Sequence, residues 1–217
     1  MEDRRSSTTR CPHISSRSNS VPLVTVYDSR RYALVNRWDP SHLKRIDRLV
    51  SIRPGDRVLE VGCGQGHLTR AIAQRGVDIV GIDANPHAAA VAGNGLVRHM
   101  VAESLDFDEA TFDCIVSVHA IEHIPPLAKA LEEMARVLKP GGKAVFIYPA
   151  EPIKGLYAIP TSIILHGDPF KARQVHCHKL WPSKLRAMLE PMGMTETCHE
   201  FSLLKSPQFA SVFEKAG

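Results

Sequence analysis

Apolar and polar residues fall into alternating short blocks along most of this chain. Asp39-Pro40-Ser41 reads as a helix start, with Leu43, Ile46, Leu49 and Val50 on one face. After a Pro54-Gly55-Asp56 turn, short apolar runs predict strands at Arg57–Val61, Val77–Ile82, Leu96–Val101, Asp113–Val118 and Lys143–Tyr148. Between them the spacing predicts helices over Gln65–Gln74, from Pro86 to Gly93, and over Pro125–Leu138. The last of these turns Leu127, Leu131, Met134, Val137 and Leu138 toward a sheet, and Pro140-Gly141-Gly142 reads as a turn. Strands alternating with helices at this spacing imply right-handed crossovers, hence an α/β fold with a parallel sheet and helices on both faces. Residues 150–179 show no clear period. Pro182–Met192 reads as a helix, and Met194–Leu204 with Phe209–Phe213 as an antiparallel hairpin around Lys205-Ser206-Pro207.

In such a sheet, ligands bind beyond the C-terminal strand ends, near the switch point. The most informative residues lie there. The run Val58-Leu59-Glu60-Val61-Gly62-Cys63-Gly64-Gln65-Gly66 leads an apolar strand into three glycines spaced by single residues. Glycines permit close backbone approach to a ligand, and a following helix N-terminus adds unpaired N–H groups. A dinucleotide fingerprint needs a third glycine in another register, where His67 stands. Asp83 closes the second strand, suited to accept from two ribose hydroxyls.

This pairing of E-x-G-x-G-x-G with Asp83 resembles the class I S-adenosylmethionine-dependent methyltransferases. Further matches follow in the family's order at Ala102-Glu103-Ser104-Leu105, Phe112–Ser117, Ile121-Glu122-His123-Ile124 and Arg136–Gly142. The resemblance is strong from Arg57 to Tyr148, continues weakly to Met194, and is closest to the branch holding ubiquinone-biosynthesis and natural-product methyltransferases. It implies a Rossmann-like three-layer sandwich, with a seven-stranded, mostly parallel sheet completed by the antiparallel hairpin. It implies S-adenosylmethionine as cofactor and S-adenosylhomocysteine as product. Gly62, Cys63, Gly64 and Gly66 would border the methionine end, Glu60 would anchor the loop, and Asp83 with Ala84 would meet the ribose. Many relatives carry an Asp before the Ala-Glu pair; here Val101 stands there, so adenine recognition passes to Ala102 and Glu103. Residues 1–20 are expected to be a disordered tail, 21–56 a helical cap, and 57–217 the methyltransferase domain with a substrate-side insertion at 150–180.

Composition adds little and contradicts nothing. The chain has 217 residues, 44% of them hydrophobic, enough for one well-buried domain. The net charge of +4 is concentrated ahead of the glycine loop, where residues 1–57 hold twelve Arg/Lys against six Asp/Glu. Five scattered cysteines without a C-x-x-C pair argue against a disulfide framework or zinc ribbon. No apolar run is long enough to span a membrane, and a cytoplasmic location is expected.

A sulfonium methyl needs an acceptor held in line and, for a hydroxyl, a base. His119, after the fourth strand, is the first candidate, and it would also line the cofactor. His123 follows four residues later. His176 and His178, flanking Cys177, are secondary acid/base candidates, His178 taken with His119 and His123 as the catalytic set. The ligand set for an ion is thin, and no metal is expected. Tyr148, Tyr157 and Trp181 are candidates to line an acceptor pocket, though such residues more often belong to the core, with Tyr27, Tyr32 and Trp38 opposite. The apolar segment from Gly155 to Gly167 reads either as a lid or wall, implying a small-molecule acceptor with an apolar portion, or equally as a helix packing on the sheet edge; the acceptor is most simply methylated on oxygen. The competing reading is a methyltransferase for RNA or another nucleic acid, using the basic front end. Against nucleic acid as a partner, Ser117-Val118-His119-Ala120 replaces the N-P-P-Y-type tetrapeptide of amine-methylating relatives. The sequence leaves the acceptor and the oligomeric state open.

Overall fold

A computed structural model describes residues 39–92, 95–203 and 206–217. The readings placed on the first twenty residues, on Tyr27, Tyr32 and Trp38, and on Gly93 and Lys205 lie outside these residues.

Helix α1 spans Pro40–Leu49, started by Asp39, whose side chain accepts from the Ser41 N–H at 3.0 Å. Then follow β1 (Arg57–Val61), α2 (His67–Ala73), β2 (Asp78–Asp83), α3 (Pro86–Ala92), β3 (Val97–His99) and β4 (Phe112–Val118). The second half holds α4 (Leu127–Val137), β5 (Leu138–Pro149), α5 (Ile159–His166), α6 (Ala172–Val175), α7 (Pro182–Leu189), β6 (Met194–Ser202) and β7 (Gln208–Lys215). The strands form one seven-stranded sheet in the order β3-β2-β1-β4-β5-β7-β6. The first five are parallel; β7 runs antiparallel to both β5 and β6. The order reverses between β1 and β4, which places a crevice beyond Val61 and Val118.

Two apolar layers hold helices on both faces of the sheet. On one face Ile46 of α1 and Leu68 and Ile72 of α2 pack on Val58, Val116 and Val145. On the other, Leu127, Leu131 and Met134 of α4 and Leu185 of α7 pack on Leu59, Ile115 and Phe146. Alternate residues of each central strand feed opposite layers, which is why these strands read as continuous apolar runs. The three-layer α/β architecture is the one expected.

Several boundaries differ from the sequence reading. β3 stops at His99 rather than Val101, and α2 begins at His67 because Gly66 holds a left-handed φ of 70°. Pro140-Gly141-Gly142 is not a free turn. It lies inside β5, where pairing shifts register between Phe112–Leu138 and Cys114–Lys143, so the expected turn becomes a bulge. The region without a clear period contains α5, α6 and a short 3₁₀ turn at Pro169–Lys171. It lacks a period because α5 is apolar on its exposed side as well, with Ile163 and Ile164 at 50% and 57% exposure. Tyr148 does not line a pocket: it is fully buried, its hydroxyl 3.0 Å from Ser211 Oγ. No helix among the described residues is long and apolar enough to cross a membrane.

Candidate active site

The loop after β1 is built by backbone geometry. The N–H groups of Gly62 and Cys63 both donate to the Ile82 carbonyl, at 2.8 and 3.0 Å, and Gly66 N–H donates to Cys63 O at 2.9 Å. Gly62, at φ 76°, lies so close to the segment after β4 that a Cβ there would meet Ala120 Cβ at 2.2 Å. The glycines therefore bring the β1 loop against the start of the His119 segment.

Asp83 closes this half of the site. One carboxylate oxygen accepts from Gly64 N–H at 2.7 Å and the other from Asn85 N–H at 2.8 Å. Each oxygen keeps a second lone pair for a ligand hydroxyl. Burial raises its pKa, partly offset by these two bonds. The Asp83 carbonyl accepts from Met100 N–H at 3.1 Å, which sets Val101, Ala102 and Glu103 beside it. Ala102 is buried and Val101 exposed. Ala84 presents its carbonyl to His99 Nε2 at 3.1 Å.

Glu60 sits beneath the loop, 4% exposed, and accepts a short hydrogen bond from the Thr69 hydroxyl of α2. Burial pushes its pKa up to about 8, with Asp83 nearby adding to the shift. A protonated Glu60 ties loop to helix without placing a second full charge beside Asp83. Gly81 was missed by the sequence reading. A Cβ there would meet Thr69 Oγ1 at 2.6 Å and Cys63 Sγ at 2.8 Å, so its absence makes room for the loop. Burial raises the Cys63 thiol pKa, consistent with a space-filling group.

The second half forms beyond β4. His119 has a left-handed φ of 51°, rare for a side-chain-bearing residue and frequent at functional turns. Its N–H still donates to Ile147 O at 2.8 Å. Its Nε2 lies 3.1 Å from Gln208 Oε1 on β7, and its Nδ1 3.5 Å from Glu122 Oε1. The His42 ring of α1 stands 5.4 Å from the His119 ring. Burial, and then His119, lower the His42 pKa to about 4, so its imidazole is neutral near pH 7.

Glu122 is 1% exposed and surrounded by imidazoles. Burial alone would raise its pKa, but His119, His123 and His176 outweigh that and hold it down to about 2. His123 Nδ1 is 2.7 Å from the Val175 carbonyl and its Nε2 is 3.8 Å from Glu122 Oε1. Burial lowers its pKa, with Glu122 partly restoring it. His176 Nδ1 donates to Glu151 at 2.8 Å. Thus His119, His123 and His176 converge on Glu122. His178 does not: its Nε2 faces the Ile124 and Pro125 carbonyls at 2.8 and 3.1 Å. Trp181 packs on Phe209, ring centroids 5.3 Å apart, and Tyr157 gives its N–H to Glu151.

Comparison with known proteins identifies the family. Residues 29–217 match the family described as "Methyltransferase domain". The chain belongs to the S-adenosylmethionine-dependent methyltransferases. Among relatives, a ubiquinone biosynthesis O-methyltransferase of Coxiella burnetii is 32% identical over 165 residues, 72% of this chain and 70% of that protein. One of the same description from Alkalilimnicola ehrlichii is 34% identical over 117 residues, half of this chain but only 47% of that protein. A solved S-adenosylmethionine-dependent methyltransferase from Archaeoglobus fulgidus superposes with a TM-score of 0.63 at 20% identity, covering 82% of this chain and 95% of its own, which bears on the fold alone. S-adenosylmethionine is the methyl donor of this family and S-adenosylhomocysteine its product. The Asp83 carboxylate, which keeps lone pairs beyond its two main-chain bonds, and the close-approach turn at Gly62–Gly66 are chemically fit to receive its polar groups.

Proposed function

We propose that this methyltransferase moves the sulfonium methyl of S-adenosylmethionine to an oxygen of a small hydroxylated acceptor with an apolar portion. The observation that carries the reading is His119. It is held in a left-handed turn next to Ala120, which abuts Gly62, between the Glu122 carboxylate and the Gln208 amide. In this reading the Glu122 carboxylate holds Nδ1–H; Gln208 Oε1 can only accept, so Nε2 gives up its proton to solvent and leaves the Gln208 contact as the acceptor hydroxyl enters, and Nε2 is then the basic atom. The oxygen attacks the methyl carbon in line as the C–S bond breaks onto sulfur, and Nε2 takes the hydroxyl proton. Positioning supplies most of the acceleration, and such a base adds about 10²–10⁴-fold.

In the same reading Gly62, Cys63, Gly64 and Gly66 hold the methionine end, Asp83 and Ala84 the ribose, and Ala102 and Glu103 the adenine. Residues 57–217 form the catalytic domain and 150–180 the acceptor-side insertion. The exposed Ile153, Leu156, Ile163 and Ile164 of that insertion supply the apolar contact. Relatives named for ubiquinone biosynthesis O-methylation support an aromatic hydroxyl in a quinone precursor as the acceptor class.

The test is calorimetry with S-adenosylhomocysteine on the wild type and Asp83→Ala, followed by methyl transfer to catechols with and without an apolar tail. Binding that collapses in the variant, and turnover favouring the tailed catechol, are expected. Absence of cofactor binding, or turnover on tRNA alone, would overturn the proposal.

A further inference from the structure

Opposite the candidate base, one buried polar side chain is out of keeping with its layer. Gln208 opens β7 beside Pro149, where β5 ends, and is 5% exposed. Alternation along β7 puts it on the face of Ala210 and Val212, which pack with Ile46 of α1, Val145 and Ile147. One turn ahead of Ile46, α1 carries His42, whose imidazole engages the Gln208 side chain. His119, its side chain 33% exposed, completes the group from beyond β4. An amide at the end of an otherwise apolar layer is costly unless its polar atoms find partners.

That partnership holds only while the base is idle. Gln208 Oε1 can only accept, so its 3.1 Å contact with His119 Nε2 requires a proton on that nitrogen. Once Nε2 has lost the proton, two lone-pair atoms border the same gap and neither donates. A single hydroxyl cannot serve both: the one whose proton goes to Nε2 leaves the amide oxygen a partner short. Two hydroxyls on neighbouring carbons are spaced about as closely as Nε2 and Oε1, so each can meet one of them.

We propose that Gln208 is a specificity-determining residue of the acceptor site. Its amide oxygen accepts from a second hydroxyl, vicinal to the methylated one, and His42 holds that amide in place. Only the identity of the first hydroxyl as the methyl acceptor rests on the methyl-transfer reading. The subsite selects vicinal dihydroxy acceptors over their monohydroxy analogues. It also bars a second round of transfer. A monomethylated product turned to offer its remaining hydroxyl to Nε2 would set a methoxy group, with no proton to give, against Gln208.

The test measures kcat/KM for a catechol and for the phenol carrying the same substituents. Their ratio within each variant cancels losses common to both. The wild type should favour the catechol by about 5–150-fold, the range expected when one buried acceptor is left without its partner. Gln208→Leu, close in volume, should bring the ratio near one and let dimethylated product form. Gln208→Glu, which keeps an accepting oxygen, should retain most of the ratio, and His42→Ala should lower it part-way. Kd values of both acceptors in the S-adenosylhomocysteine complex read the same ratio without turnover, and S-adenosylhomocysteine affinity reports folding. A wild-type binding ratio near one, or an undiminished ratio in folded Gln208→Leu, would overturn the proposal. The expected binding ratios with no methyl transfer to either acceptor would overturn the methyl-transfer reading and leave the subsite standing.

Discussion

Gly62→Ala offers the sharpest test of how the glycine loop is built. The substitution has two costs. A left-handed backbone costs an alanine about 1–2 kcal/mol. The new methyl would also meet Ala120 Cβ at 2.2 Å, far inside van der Waals contact, and forcing such a contact apart in a packed region costs about 1–3 kcal/mol. The sum is about 2–5 kcal/mol. Gly76→Ala isolates the first cost, since Gly76 has φ 79° but nothing within 4 Å of its missing Cβ. Denaturant unfolding of both variants should put Gly62→Ala below Gly76→Ala by about 1–3 kcal/mol. S-adenosylhomocysteine affinity should fall only in Gly62→Ala. Adding Ala120→Gly removes the facing methyl and should recover most of that difference. Equal destabilisation of the two single variants, or no recovery in the double variant, would refute the claim that these loops are held in direct apposition.

Other expectations follow from the charged groups. The Glu60 pKa is raised from 4.5 to about 8, so the folded chain keeps a proton that the unfolded chain releases; stability should fall as pH rises between those values, and Glu60→Gln should flatten that slope without unfolding the protein. Glu200 has a lowered pKa because Arg45 and Arg48, at 2.6 Å each, outweigh its burial, so its contribution should be present above the unfolded carboxylate pKa and be lost as pH falls through the folded value. Glu200→Gln, which strips a charge from the 7% exposed Arg45, should cost about 1–3 kcal/mol at neutral pH in denaturant unfolding. His119→Asn should lower kcat by about 10²–10⁴-fold while the cofactor KM moves far less; an unchanged kcat would remove His119 as the base.

The legible parts of this protein were those whose determinants are close in sequence. The β1 strand, the glycine turn and the acid ending β2 are each set within a few residues, because glycine φ and strand alternation are local properties. Of the two readings of Tyr148, core and pocket wall, the structure keeps the core, and the choice was not legible for the opposite reason. Its surroundings are fixed by β7, which pairs Tyr148 with Phe209 and brings up Ser211. Gln208 and His42 were also beyond reach, since their relation to His119 depends on how β7 and α1 close over the sheet. Gly81 carried a usable signal, a glycine inside an apolar strand, which often marks close approach by another backbone.

The same distinction divides the site. In the proposed reading its donor half consists of loops after β1 and β2 and beside β3, tied by main-chain bonds to Ile82 and Asp83. Its acceptor half draws on β4, the insertion and β7, tied through side chains that meet at Glu122. The halves touch at Gly62 and Ala120, where a glycine backbone against a methyl group, rather than an ionisable pair, forms the contact. Substitutions at Asp83 should therefore leave the histidine cluster's chemistry intact, and substitutions at His176 should leave cofactor affinity intact. A fold arranged this way lets the acceptor half vary through one insertion and a closing hairpin while the donor half stays bound to the geometry of the sheet.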